Sequence, residues 1–256
     1  LGTHQRRYNR AMADGGHLVL LGYGVADSLQ LTVEAQRAIG RATVVYAVSP
    51  PPGLAQYLKG LRVRVVDLGP KLAEGDGPAA TLDVADFLLR RAVLEPPAVL
   101  LSPGNPLFLN NLARLLVQAA NERGIAVTLT PGVSLLDTVI SDLGLDVTTR
   151  GLQVFDARHL LGLRHQVNPR VPLLVLEAGA LARGFEGAAP EQVHAAFAGY
   201  LGQFYPPSHG VTLITETTGR GMFGRRTVVM EQLPELLALA ALDSCLFLDI
   251  VPRAQG

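Results

Sequence analysis

The chain has 256 residues, enough for one large domain or two of ordinary size with a substantial buried core. Hydrophobic residues make up 48% and charged residues 17%, and Lys+Arg balances Asp+Glu at 22 each. That composition excludes a disordered chain and any global field that would draw in nucleic acid or an anionic membrane. The single Cys245 has no disulfide partner, and the six scattered His residues lack metal-ligand spacing, so no metal site is expected.

Residues 1–16, LGTHQRRYNRAMADGG, are polar and carry no apolar export core, so they read as a flexible N-terminal arm or a remnant of expression. No apolar run is long enough to span a bilayer, and a cytoplasmic location is expected. HLVLLG (17–22) reads as a buried strand and 28–42 as a helix. TVVYAV (43–48) is a second strand, 54–61 a short helix, and RVRVVDL (62–68) alternates at strand period. GPKLAEGDGPAA (69–80) reads as a loop before an amphipathic helix over 81–95. PAVLLS (97–102) and IAVTLT (125–130) are strands flanking a helix over 110–124. Strand–helix alternation at this spacing predicts a parallel sheet with helices on both faces.

The second half changes rhythm. PLLVLEA (172–178) and VTLITETT (211–218) read as strands around a helix over 190–205, and RTVVMEQL (226–233) and CLFLDIV (245–251) follow as a meander. Two α/β domains are expected, a parallel-sheet domain over 17–132 and a mixed-sheet domain over 133–252.

Three Gly/Pro corners stand at the carboxyl ends of predicted parallel strands: GYG (22–24), PGNPLF (103–108) and TPGVS (130–134). Ligands collect at such strand ends in open α/β sheets, although corners also arise because chains must turn. A dinucleotide fingerprint is incomplete here. Asp27 stands at the third glycine position, and the second strand ends in Ala47-Val48-Ser49-Pro50 with no acidic residue for a ribose. A Walker phosphate loop is absent too. The corners therefore suit a ligand with adenosine and a charged amino acid but no phosphate, bound by main-chain groups and apolar walls.

The ordered set LLGYGVADSLQLTVEAQRAIGRATVVYAV, SPGNPLF, TPGVSLLDTVISDLGLD and LPELLALAALDSCLFLDIVP resembles the tetrapyrrole methylase superfamily from His17 to Pro252. PGNPL, PGVSLLD and GLQVFDARHL (151–160) are similar to the methylase-like domain attached to MazG-type pyrophosphohydrolases. LGQFYPPSHGVTLITETTG (201–219) resembles both that branch and the borosin branch, which methylates peptide backbone amides. The resemblance implies S-adenosylmethionine held in a cleft between two α/β domains, S-adenosylhomocysteine as product, and a homodimer. By position it implies cofactor contacts from Gly22, Tyr23, Gly24, Pro103, Gly104, Asn105, Pro106, Leu107, Phe108, Ser134 and Leu135. From the second domain it implies Leu176, Glu177, Ala178, Thr212 and Leu213.

The function implied is methyl transfer to a peptide or a specialised metabolite. Its alternatives are a cofactor-binding module without turnover and, third, a corrinoid or tetrapyrrole methylase. The borosin branch carries Arg and Tyr before the fourth strand, whereas residues 75–89 here hold neither. Catalytic candidates are Tyr46, Asp83 and Glu216, read against core packing for Tyr46 and a solvated helix face for Asp83 and Asp86. Asp137 is expected to cap its helix. Asp156, Arg158 and His159 read as a solvated helix start, and GRGMFGRR (219–226) as a hairpin tip.

Overall fold

The computed structural model describes residues 15–61, 63–73, 77–216 and 223–252. Residues 1–14 of the expected arm over 1–16, and residues 219–222 of the hairpin tip expected over 219–226, lie outside the described residues, whereas 223–226 of that tip belong to a strand, Phe223–Val229. The chain divides into two compact units, the first running to Val139 and the second beginning at Ile140.

The first unit contains β1 (His17–Gly22), α1 (Val33–Gly40), β2 (Val44–Ala47), α2 (Pro52–Gly60), β3 (Arg64–Asp67), α3 (Gly69–Ala73) and α4 (Gly77–Leu94). It continues with β4 (Ala98–Ser102), α5 (Asn111–Glu122) and β5 (Ala126–Thr130). The sheet order is β3-β2-β4-β1-β5, all parallel. β1, β2 and β4 are buried along their whole length because both faces are covered. Alternate residues feed two cores. Leu18, Leu20, Val44, Tyr46 and Leu100 pack with Leu88 and Leu89 of α4 and Leu116 of α5. Val19, Leu21, Val45 and Leu101 pack with Ile39 of α1 and Leu54 and Leu58 of α2.

Register aligns the strand ends. Gly22 pairs with Ser102, and Leu21 with Thr130, so the three corners leave the sheet side by side. Two expectations change. The helix expected over 28–42 breaks after a short 3-10 turn over Asp27–Gln30, because Thr32 caps α1 by accepting the Ala35 amide at 3.0 Å. The loop expected over 69–80 contains α3 and the start of α4. Asp67 prompts that turn by accepting the Gly69 amide at 2.8 Å.

α6 (Leu135–Leu143) carries the division between the units. The second unit then holds α7 (Val147–Arg150), β6 (Gln153–Asp156), α8 (Ala157–Gly162), β7 (Leu173–Leu176) and a 3-10 helix over Ala178–Gly184. It ends with α9 (Pro190–Leu201), β8 (Gly210–Glu216), β9 (Phe223–Val229), α10 (Leu233–Ala238) and β10 (Cys245–Leu248). Its sheet is mixed, order β6-β7-β10-β8-β9, with only β6 and β7 parallel. The expected meander is corrected. β10 is inserted between β7 and β8, where its apolar residues are covered on both sides, and the polar β9 takes the edge. The sequence reading also missed β6, a half-buried edge strand with weak alternation. Leu160, Val193, Phe197, Leu233 and Leu237 form the core between this sheet and α8, α9 and α10. Among the described residues no helix is long and apolar enough to cross a membrane.

Candidate functional site

The three corners of the first unit are fastened together by their glycine backbones. The Gly104 amide donates to the Gly24 carbonyl at 3.0 Å, and the Tyr23 amide to the Ser102 carbonyl at 3.0 Å. A Cβ on Gly22 would stand 2.0 Å from the Gly104 oxygen and 2.4 Å from the Gly132 nitrogen. Only glycine permits that approach. Gly104 itself is left-handed at φ +58, and its Cβ would lie 3.3 Å from Ser134 Cα. Gly22, Tyr23, Gly24, Gly104, Pro106 and Ser134 are buried, while Pro103 and Leu107 are exposed at the rim.

Side chains lock each corner. Gln30 Oε1 accepts the Val25 amide at 2.7 Å and the Ala26 amide at 3.0 Å. Asn105 Oδ1 accepts the Leu107 amide at 3.0 Å, and the Asn105 carbonyl accepts the Phe108 amide at 2.9 Å. Asn110 donates to Ser102 Oγ at 3.0 Å and caps α5 by accepting the Ala113 amide at 3.0 Å. Ser134 and Asp137 form a reciprocal cap ahead of α6. The Asp137 carboxylate accepts from the Ser134 amide at 2.8 Å and its hydroxyl at 2.6 Å. Leu135 opens that helix, half-buried.

The structure explains why Asp27 stands where a dinucleotide fold has glycine. Its carboxylate accepts the Gly53 amide at 2.9 Å and the Leu54 amide at 2.5 Å, capping α2, whose own N-cap Pro51 has no side-chain acceptor. A negative charge at a helix N-terminus is favourable. Sequence reading missed both Asp27 and Gln30 because their partners are set by the turn geometry.

In the second unit, Leu176, Glu177 and Ala178 leave β7 at the same sheet edge as the ends of β6 and β8. The Ala178 amide donates to the Ser244 carbonyl at 2.8 Å, and Thr215 and Ser244 hydroxyls pair at 2.8 Å. Thr212 and Leu213 lie further along β8. Leu213 is a core residue opposite Leu246, and the Thr212 hydroxyl pairs with Thr227 at 2.8 Å. Leu176–Ala178 therefore gather with Thr215 and Ser244, and Thr212 and Leu213 stand apart from them.

Glu177 is a left-handed non-glycine residue at φ +53. The Arg158 guanidinium joins its carboxylate to that of Asp156, 2.8 Å away on the Asp156 side. Asp156 is not the solvated residue expected. Its side chain is 11% exposed, and it caps α8 by accepting the Arg158 amide at 2.8 Å and the His159 amide at 3.1 Å. Burial pushes Asp156 up, but the bonds from Arg158 and the His159 amide outweigh it and hold the carboxyl at about 2. Glu177 is raised, first by burial and then by its neighbour Asp156, against the pull of Arg158.

Tyr46 is a core residue, 1% exposed, packed edge-on against Phe87 and accepting from Arg91 Nε at 3.1 Å. Asp83 is exposed on α4, and Asp86 is ion-paired with Arg90 and Arg123. Glu216 ends β8, and its side chain lies outside the described residues.

The sequence is similar to that of a methyltransferase/ribosomally synthesized type I borosin cyclic peptide precursor from Coprinopsis marcescibilis, 26% identical over 170 residues, 66% of this chain and 43% of that protein. It also matches a type III borosin cyclic peptide precursor from Anomoporia bombycina at 24% identity, covering 77% of this chain and 23% of that protein. The chain thus spans less than half the length of these curated relatives. In fold it resembles uroporphyrin-III C-methyltransferase from Thermus thermophilus complexed with S-adenosylhomocysteine, with a TM-score of 0.65, 21% identity, and coverage of 91% of this chain and 97% of that one. The family model of the tetrapyrrole (corrin/porphyrin) methylases matches residues 17–189, and with that match the chain belongs to this family.

Proposed function

We propose that the chain binds S-adenosylmethionine and transfers its methyl group to a peptide or specialised-metabolite acceptor, releasing S-adenosylhomocysteine. The observation that carries this reading is the glycine-to-glycine closure of three corners at one sheet edge of the first unit. It gathers main-chain groups and apolar rim residues. Gly22–Gly24, Pro103–Phe108, Ser134 and Leu135 contain no Lys or Arg, which fits a ligand carrying no phosphate. Leu176–Ala178 of the second unit belong to the proposed set by family resemblance. A peptide acceptor is favoured because the similar curated proteins are named as borosin peptide precursors. A homodimer in the cytoplasm belongs to the same proposal.

When bound, S-adenosylmethionine supplies a methyl group on a sulfonium, which is open to in-line displacement. Alignment of donor and acceptor then accounts for much of the rate. The chain's part is to hold the corners still. Asn105, Gln30 and the Ser134–Asp137 cap fix each turn before any ligand arrives, so little reorganisation is left for the reacting complex. Leu107, 37% exposed, offers an apolar cover that keeps water from the bound group.

The test is calorimetric titration with S-adenosylmethionine and S-adenosylhomocysteine, with NAD as control, followed by mass spectrometry of candidate peptides. Micromolar binding of the sulfur ligands is expected, with loss in Gly104→Val and in Leu107→Glu; the second change leaves the glycine contacts in place. No binding by the folded protein sinks the reading. Binding with no methylation of any peptide or small acceptor would favour the module without turnover.

A further inference from the structure

An open surface hollow of about 360 Å3 lies in the second unit, lined by Leu161, Arg164, Phe185, Gln192 and Val193 among others. None of its lining residues belongs to the corners or turns above. Leu161 and Val193 are buried and Phe185 is half-buried, while Arg164, Gln192 and Ala196 are exposed. A hollow of this size and largely apolar lining suits a small organic ligand, since such sites run from roughly 300 to 1,000 Å3.

Arg164 is the cation of this hollow, and its backbone is unusual. It follows Leu163, the C-cap of α8, and adopts φ +50, the left-handed conformation that glycine takes after helices with least strain. An arginine there costs stability that glycine would not. Its guanidinium stands 6.0 Å from the Tyr200 ring centroid. Tyr200 is held in turn by its hydroxyl, which donates to the His165 carbonyl. Among the described residues Arg164 has no carboxylate partner. An exposed arginine in a strained conformation, without a carboxylate partner among the described residues and beside an apolar hollow, is suited to a monoanion with an apolar body.

We propose that this hollow is a binding site for a small apolar carboxylic acid. The carboxylate meets Arg164, and the body lies against Leu161, Phe185 and Val193, with the Gln192 amide as a second polar contact. The proposal stands independently of the cofactor reading.

The experiment titrates the full chain with 3-phenylpropionate and, separately, with its neutral amide, 3-phenylpropionamide, followed by ligand-observed NMR and calorimetry. Saturable one-to-one binding of the acid is expected, with the amide weaker by about tenfold or more, as loss of a charged hydrogen bond implies. Arg164→Gln should bring the acid down to the level of the amide. Arg164→Gly should raise the melting temperature while losing the acid, which a merely structural arginine would not do. Equal binding of acid and amide, no saturation in the millimolar range, or an Arg164→Gly variant that binds the acid undiminished would each overturn the proposal.

Discussion

The amide of Gly104 donates a hydrogen bond to the carbonyl of Gly24, 3.0 Å away, joining the loop after β4 to the loop after β1. The two residues are far apart in sequence and both left-handed, at φ +58 and +90. Their bond closes the corner system that Gly22 and Gly132 complete by direct backbone contact.

That contact makes Gly22 the least replaceable glycine of the set. Gly22→Ala places a methyl 2.0 Å from the Gly104 oxygen, and about 3 kcal/mol of destabilisation is expected from the overpacking. Gly199 in α9 is the contrast, since a methyl added there would meet nothing within 4 Å. Gly199→Ala should stabilise by about 0.5–1 kcal/mol. Urea denaturation of the two variants checks both signs.

Asp27 acts on a helix in another part of the sequence. Asp27→Ala removes both acceptors from the α2 N-terminus and should cost about 1–2 kcal/mol. Asp27→Asn keeps one acceptor oxygen and should fall between the two in thermal melts.

The carboxyls joined by Arg158 should respond to pH with opposite signs. Asp156 is depressed to about 2, so its contribution is present above its usual value near 3.8 and is lost as pH falls toward 2. Glu177 is raised above 4.5, so its contribution is present below that value and is lost as pH rises through the raised one. Glu177→Gln should therefore gain most in melting temperature, relative to wild type, at neutral pH, and the gain should shrink toward pH 4. A gain that grows on acidification would refute the assignment.

His17 opens β1, where burial lowers its imidazole below 6.5 and Nε2 lies 2.9 Å from the Thr128 hydroxyl. The unfolded chain takes up the proton first as pH falls, so this group removes stability below about 6.5. His17→Gln keeps a polar partner for Thr128 without titrating. Its melting temperature should decline less than that of wild type between pH 7 and 5.

Much of the fold was legible because its signals are local. The runs 17–22, 44–47 and 98–102 are predominantly apolar and buried along their whole length, as central parallel strands are, and three Gly/Pro corners follow strand ends. Other features answer to distant partners. β6 is a half-buried edge strand whose pairing with β7 is invisible in its own four residues. β10 looks like the end of a meander until β7 and β8 claim its two sides.

The sequence by itself determined the five strands of the first unit, their parallel sheet and the three corners, because hydrophobic period and the backbone restrictions of Gly and Pro act over a few residues. Only the tertiary structure decided that Asp27 caps α2, that Glu177 and Asp156 share Arg158, and that Gly22, Gly104 and Gly132 touch. Those relations depend on contacts between residues separated by many positions, and no local preference encodes them. They arise once sheet order and register bring the strand ends to one edge.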